Sequence, residues 1–166
     1  MNKTNNKFPS HFRDFIIELN KHSVEYMLIG GYALGVYGHI RATNDLDIYI
    51  NATEHNASKM VKVCIAYGIP EASIKKEMFL VQKMIGIGEP PLRIEIIKKL
   101  DLIDFKYAFQ RIKKVKVDGI SINVIDLDDL ILLKKAAIKG RNKSRDTEDL
   151  YFLEKLKASL KLKKRK

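Results

Sequence analysis

The stretch LIGGYALGVYGHIRATNDLDIYI, residues 28–50, sets two adjacent glycines at the end of one apolar run and two aspartates, Asp45 and Asp47, inside the next. Residues at i and i+2 of a strand project to the same side, so the two carboxylates lean on one site with their Cα atoms about 6.6–6.8 Å apart. Leu46, Ile48 and Ile50 take the opposite side, which ties the direction of the carboxylates to core packing. Gly30-Gly31 supplies the other half. Glycine permits positive φ and close approach of a ligand to the backbone, and the amides opening a short following helix, Tyr32–Tyr37, face any anion held there. Two convergent carboxylates with no neighbouring Cys/His set suit a hard, oxygen-preferring ion, Mg²⁺ or Mn²⁺. A pair of such ions about 3.5–4 Å apart serves in-line attack on phosphorus. The strand, glycine turn, helix and second strand thus read as a unit that holds a triphosphate beside metal ligands.

Outward from this unit, Phe12, Phe15, Ile16 and Leu19 follow helical spacing after Pro9-Ser10, and VEYMLI reads as a buried strand ending at Gly30. The short helix closes at Gly38. DLDIYI is a strand, followed by Thr53 as N-cap of a helix whose apolar face is Ala57, Met60, Val61, Cys64 and Ile65. MFLVQKMIGI and LRIEII read as two strands joined through Glu89-Pro90-Pro91, and RIKKVKVDGISINVI as a hairpin turning at Asp118-Gly119. Two helices follow, one from Asp126 to about Lys139 stopped by Gly140, the other from about Ser144 to Leu160. The expected architecture is α/β (α+β): a mixed β-sheet with flanking helices, one domain over residues 1–160, and a basic tail at 161–166.

At 166 residues the chain is long enough for one well-filled core. Its apolar runs fall far short of the ~20 residues of a membrane span, and the polar start carries no signal-peptide pattern, so a cytoplasmic protein with no membrane partner is expected. The single Cys64 excludes an intramolecular disulfide and a cysteine metal cage, and its apolar neighbours mark it as a buried thiol. The net charge of +11 is local: Lys134–Arg145 and Lys157–Lys166 each hold six Lys/Arg and no acid, leaving 19 bases against 20 acids elsewhere. Such clusters suit nucleotide phosphates or a nucleic-acid backbone, and a basic tail such as KLKKRK is equally well a solvated end.

At 100° per residue, Leu127, Leu130, Ile131, Ala137 and Ile138 form one stripe with Lys134 near its centre, while Lys135 and Lys139 turn toward solvent. Lys134 therefore aims inward, either at an anionic ligand or at an internal acid. On the last helix Asp149 shares a face with Leu153, Leu156 and Leu160, and Asp146 lies at its edge. An acid on an apolar face needs a partner, for which Lys134 is the candidate. Arg41, Arg141 and Arg145 are candidate phosphate contacts.

The pattern GGYAL…RATNDLDI resembles that of the polymerase-β-like nucleotidyltransferase superfamily, and within it a small bacterial branch with GGxAL and RxTxDLDI that includes abortive-infection type IV toxin nucleotidyltransferases. The resemblance runs from about Val24 to Leu153. It implies a nucleotidyltransferase fold and transfer of a nucleoside monophosphate from an NTP to an acceptor hydroxyl, with release of pyrophosphate. It also implies catalysis and metal binding by Asp45 and Asp47, with Glu95 of LRIEII as the third carboxylate, a metal ligand or general base, where Asp is commoner. The other reading of Glu95 is a strand residue paired with Arg93 or a lysine. By the same resemblance, DLILLKKAA matches a phosphate-binding LIxxK motif with Lys134, and GRNKSRDTEDL resembles GRxKDxxDL, with Arg145 at the usual lysine position and extra residues in the loop. Gly30, Gly31, Arg41, Thr43, Lys134, Arg145 and Asp146 make up the implied nucleotide-binding set. The implied acceptor is RNA or protein, and a cognate antitoxin is an implied partner. The rival readings are an antibiotic nucleotidyltransferase of lincosamide or aminoglycoside type and a non-catalytic nucleotide- or RNA-binding member of the fold.

Overall fold

The structure, a computed structural model, describes residues 8–140 and 144–164. Helix α1 (Ser10–Lys21) buries Phe12, Phe15, Ile16 and Leu19 as their spacing requires. Strand β1 (Tyr26–Ile29) is buried throughout, and helix α2 (Gly30–Val36) follows without a loop, two residues earlier than the sequence pattern suggests. That start uses Gly30, whose φ of +66° makes the sharp turn out of β1. Strand β2 (Asp45–Ile50) matches DLDIYI residue for residue.

Thr53 caps helix α3 (Glu54–Ala66), its hydroxyl accepting from the Asn56 amide. The buried face of α3 is Asn56, Ala57, Met60, Val63 and Cys64, rotated from the expected one so that Val63 replaces Ile65. Asn56 is the cause. Its side chain donates to the Glu25 and Asn51 carbonyls and accepts from the Glu25 amide, which pulls a polar residue into the interior. Cys64 is fully buried, and burial pushes its thiol up to about 12.

MFLV, read above as strand, is a single helical turn, α4 (Met78–Val81), that buries Phe79, and strand β3 starts only at Met84 (Met84–Ile87). Strand β4 (Arg93–Ile97) pairs with it antiparallel. A short helix α5 (Phe105–Phe109), capped by Asp104 on the Tyr107 amide, was not expected, since five residues are too few to display a period. Strands β5 (Lys113–Val117) and β6 (Ile120–Val124) form the predicted hairpin, with positive φ at both Asp118 and Gly119 as a tight turn of that hand requires. Helix α6 (Leu127–Gly140) opens with Asp126 accepting from the Asp128 amide. Helix α7 (Ser144–Lys163) runs three residues past the expected end, taking in part of the tail.

The strands form one sheet in the order β3-β4-β2-β1-β6-β5. The β1–β2, β3–β4 and β5–β6 pairs are antiparallel; β1–β6 and β2–β4 are parallel. The sheet is therefore mixed and carries flanking helices. Among the described residues no helix is long and apolar enough to cross a membrane.

Candidate functional site

Along β2 the even-numbered Leu46 and Ile48 are fully buried, and Asp45 and Asp47 are half-buried on the other face. Strand β4 repeats the alternation: Ile94 and Ile96 are buried, Arg93 and Glu95 half-buried. The parallel register sets Asp45 opposite Arg93 and Asp47 opposite Glu95, so all four charged groups share one face of the sheet. Glu95 is paired within its own strand, as the second of the two readings has it. It accepts from Arg93 Nε at 3.2 Å, and it stands beside Asp47.

This crowding shows in Asp47. Burial first, then the neighbouring Glu95 and Asp45 charges and a hydrogen bond with Glu95, push its carboxyl up to about 7, against a smaller downward pull from Lys134. Gly30 is what lets Asp47 sit there. A Cβ on Gly30 would lie 2.0 Å from Asp47 Oδ2, and one on Gly31 would lie 2.6 Å from Thr43 Oγ1. The glycine pair therefore accommodates side chains of the following segment, as well as leaving backbone open to the cleft.

The opposite wall comes from α6 and α7. Lys134 is only 9% exposed, and its Nζ lies 3.0 Å from Asp146 Oδ1 and 2.8 Å from Asp149 Oδ2. Asp149 is completely buried, and Arg41 grips it with two parallel bonds, Nε to Oδ1 at 2.8 Å and Nη2 to Oδ2 at 2.9 Å. His39 Nε2 is 3.2 Å from the same carboxylate, its ring stacked on Phe152. Burial alone would raise the Asp149 carboxyl, but hydrogen bonds from Arg41 and Lys134 hold it below the usual value. Asp146 Oδ2 is buried without a hydrogen-bond partner among the described residues.

Between these walls is a cleft of about 510 Å³ lined by Gly30, Gly31, Arg41, Thr43, Asp45 and Asp47 on one side and Lys134, Arg145 and Asp146 on the other. It brings together the implied nucleotide-binding set with Asp45 and Asp47, and leaves out Glu95, Asp149 and Arg141. Glu95 lines an adjoining hollow of about 390 Å³ that shares Gly30, Asp45, Asp47, Lys134 and Asp146 with the cleft. Arg141 lies outside the described residues, as do the last two residues of the tail. Asn44 and Ser144 also line the cleft and were not anticipated. Asn44 stands inside the quoted motif and Ser144 at the expected start of α7, but neither residue type signals a ligand by itself. Arg41 faces the cleft with its donors committed to Asp149 and to the Ala42 carbonyl.

Among the described residues no three His, Cys, Asp or Glu side chains form a ready-made metal cage. The crowded acids are nevertheless the right donors for a hard cation. Burial, and after it the Glu95 and Asp45 charges, push the Asp47 carboxyl up to about 7, and a divalent ion would relieve the repulsion among the three.

A comparison with curated proteins finds no sequence match. Two solved structures share the fold. One is an antigenic nucleotidyltransferase-like protein from Paracoccidioides brasiliensis, 13% identical, with 86% of this chain and 74% of that one covered at a TM-score of 0.55. The other is the antibiotic-resistance factor ANT(2'')-Ia, 10% identical, with 99% and 95% covered at a TM-score of 0.58. The model of a family described as "Nucleotidyltransferase of unknown function (DUF6036)" matches residues 13–163, nearly the whole length, and the chain belongs to that family.

Proposed function

We propose that the protein transfers a nucleoside monophosphate from an NTP to an acceptor hydroxyl, in a reaction that depends on a divalent cation. The observation that carries this reading is the β2–β4 register, which lines up Asp45, Asp47 and Glu95 beside a cleft whose far wall holds Lys134 and Arg145. Asp45 and Asp47 would hold Mg²⁺ or Mn²⁺, with Glu95 beside them. Few carboxylates suffice because magnesium commonly completes its shell with substrate phosphate and water. The ion, when bound, neutralises charge developing on the phosphates.

The chain's own groups account for the remaining work. Gly30 and Gly31 leave the backbone open to the triphosphate, and Thr43 flanks the same stretch. Lys134 and Arg145 offset phosphate charge, and Arg41 acts through Asp149 to hold Lys134 in place. Glu95 accepts the proton of the attacking hydroxyl. The hydroxyl oxygen bonds to the α-phosphorus, the bond to the bridging oxygen breaks, and pyrophosphate leaves with the electron pair.

The finer assignment is to the toxin branch with an RNA or protein acceptor, supported by the GGYAL and RATNDLDI motifs; a cognate antitoxin would be the partner, and the cytoplasm the setting. Likeness in fold to an antibiotic-resistance factor supports drug modification as the alternative. The test is incubation with each α-labelled NTP, Mg²⁺ or Mn²⁺, and total RNA, lysate protein or hydroxylated antibiotics. Metal-dependent labelling that Asp45→Asn and Asp47→Asn both abolish is expected. Full activity of both variants would refute the mechanism.

A further inference from the structure

Strand β4 sets a cation among the acids. Arg93 and Glu95 stand at i and i+2 on one face, and Arg93 Nε lies 3.2 Å from Glu95 Oε1. The parallel register puts the same arginine opposite Asp45, and the antiparallel register puts Gly86 of β3 opposite Glu95. Gly86 is not among the glycines of positive φ, so its backbone does not call for glycine. The guanidinium does, because a Cβ on Gly86 would collide with Arg93 Nη2. Arg93 thus lies in a slot that β3 leaves open, which gives it a second hold besides Glu95. Its charge is permanent, since a guanidinium is not deprotonated in a protein. Asp45 and Asp47 differ: neither belongs to an ion pair among the described residues. Glu95 is near enough to hydrogen-bond Asp47, so it is set apart by its counter-charge and not by distance.

From this pairing we propose that the centre takes one divalent ion, on Asp45 and Asp47, in place of the pair that in-line attack commonly uses, and that Arg93 holds Glu95 off that ion. The assignment rests on the nucleotidyl-transfer reading above. A second dication on Glu95 would have to break the Arg93 bond, and it would still face the guanidinium lodged over Gly86. Arg93 itself brings to the third acid the positive charge that a second ion would supply. The single ion shares its shell with the phosphates of the NTP. Off the ion, Glu95 remains available to the attacking hydroxyl, and Arg93 fixes the direction in which it points. Arg93 is thus a positioning residue for the third carboxylate.

The test counts ions. The full chain is incubated with Mn²⁺ and the α,β-methylene analogue of ATP, GTP, CTP or UTP, which cannot transfer, and native mass spectrometry reads the manganese carried per bound nucleotide. One ion is expected on the wild type, and Glu95→Gln should keep it. Arg93→Met should raise the count to two, because Glu95 then becomes an unpaired acid beside Asp47. Arg93→Gln removes the charge and keeps a donor, and it serves if the methionine variant does not fold. A wild-type count other than one, loss of the ion in Glu95→Gln, or a count unmoved by the arginine variant overturns the proposal, and nucleotidyl transfer stands so long as α-labelled NTPs still pass label to an acceptor. Absence of both nucleotide-dependent manganese and label in the wild type overturns the transfer reading, and the single-ion centre falls with it.

Discussion

Lys134 Nζ lies 2.8 Å from Asp149 Oδ2, and Asp149 is wholly enclosed. A cation of the proposed phosphate site is thus fixed by an acid of the following helix, and the two helices report on each other. Lys134→Met removes the charge at nearly constant length. It leaves Asp149 with Arg41 and His39, but deprives Asp146 of the partner on its Oδ1. The expected cost is about 3 kcal/mol, the low end for stripping one partner from a buried ion pair, because Arg41 still compensates Asp149. Urea denaturation measures the loss, and titration with Mg²⁺ and NTP should show nucleotide binding greatly weakened.

The Asp149 carboxyl is held below its ordinary value of 3.8, so its pairing contributes stability that is fully present above that pH and is lost as pH falls toward the lower folded value. Asp149→Asn should be less stable than the wild type at neutral pH. The difference should narrow on acidification below about pH 4. Denaturant midpoints measured from pH 2.5 to 7 check this; a constant difference would place the effect in packing.

Asp47 has the opposite sign. Its carboxyl is raised from 3.8 to about 7, so the folded state holds a proton that the unfolded state releases, and a stability cost builds up between those two values. Asp47→Asn should therefore match the wild type near pH 4 and exceed it above pH 7, by about 1–3 kcal/mol after allowance for solvent screening. It should also abolish transfer. In the wild type, binding of Mg²⁺ with NTP should release a proton below pH 7 and tighten as pH rises to that value, which calorimetry in buffers of different ionisation enthalpy detects.

Gly30→Ala would set a Cβ 2.0 Å from Asp47 Oδ2 at a φ of +66°. Strain and displacement of Asp47 should together cost about 1–3 kcal/mol and remove activity, a combination not expected of a mere turn glycine. Thermal melts and the labelling assay run on the same preparation separate the two effects.

Removal of residues 161–166 takes away basic groups and the exposed Leu162 but nothing buried among the described residues. Stability should stay within about 0.5 kcal/mol of the full chain. Lys161 and Lys164 line a groove with Lys113, Lys157, Asp126 and Asp128, in which Asp128 holds Lys157; if RNA is the acceptor, its affinity should fall and the dependence on salt should flatten. Filter binding at several salt concentrations decides between this outcome and a passive end.

What could be read from the sequence follows the range over which each signal acts. The strand β2 is legible because burial alternates along it with period two, and Lys134 because one polar residue interrupts an apolar helical stripe. The position of Glu95 is different. Its neighbourhood to Asp47 depends on a parallel pairing between strands that are nearly fifty positions apart, and nothing local announces that register. Met78–Val81 carries strand-forming residues and yet turns as a helix, since Phe79 has to reach the core from a segment too short for its own periodicity to show. On α3 the hydrogen bonds of Asn56 outweigh the exposure preference of an amide and shift the edge of the buried face, Ala57, Met60 and Cys64 staying on it. The apolar face around Asp149 announces that it needs a partner, and Lys134 is one, but nothing local announces that the clasp of Arg41, 108 positions away, is a second.

That clasp joins positions 108 apart in the chain. On a ribosome, β1, β2 and β4 emerge with their glycines and three acids well before α7 supplies Asp146 and Asp149. Until then Lys134 has neither carboxylate to hold it, Arg41 has no anchor, and the basic wall of the cleft has no fixed shape. On the proposed mechanism, fragments that end before Ser144 should therefore bind Mg²⁺ with NTP poorly, their basic wall having neither Asp146 nor Asp149 to shape it.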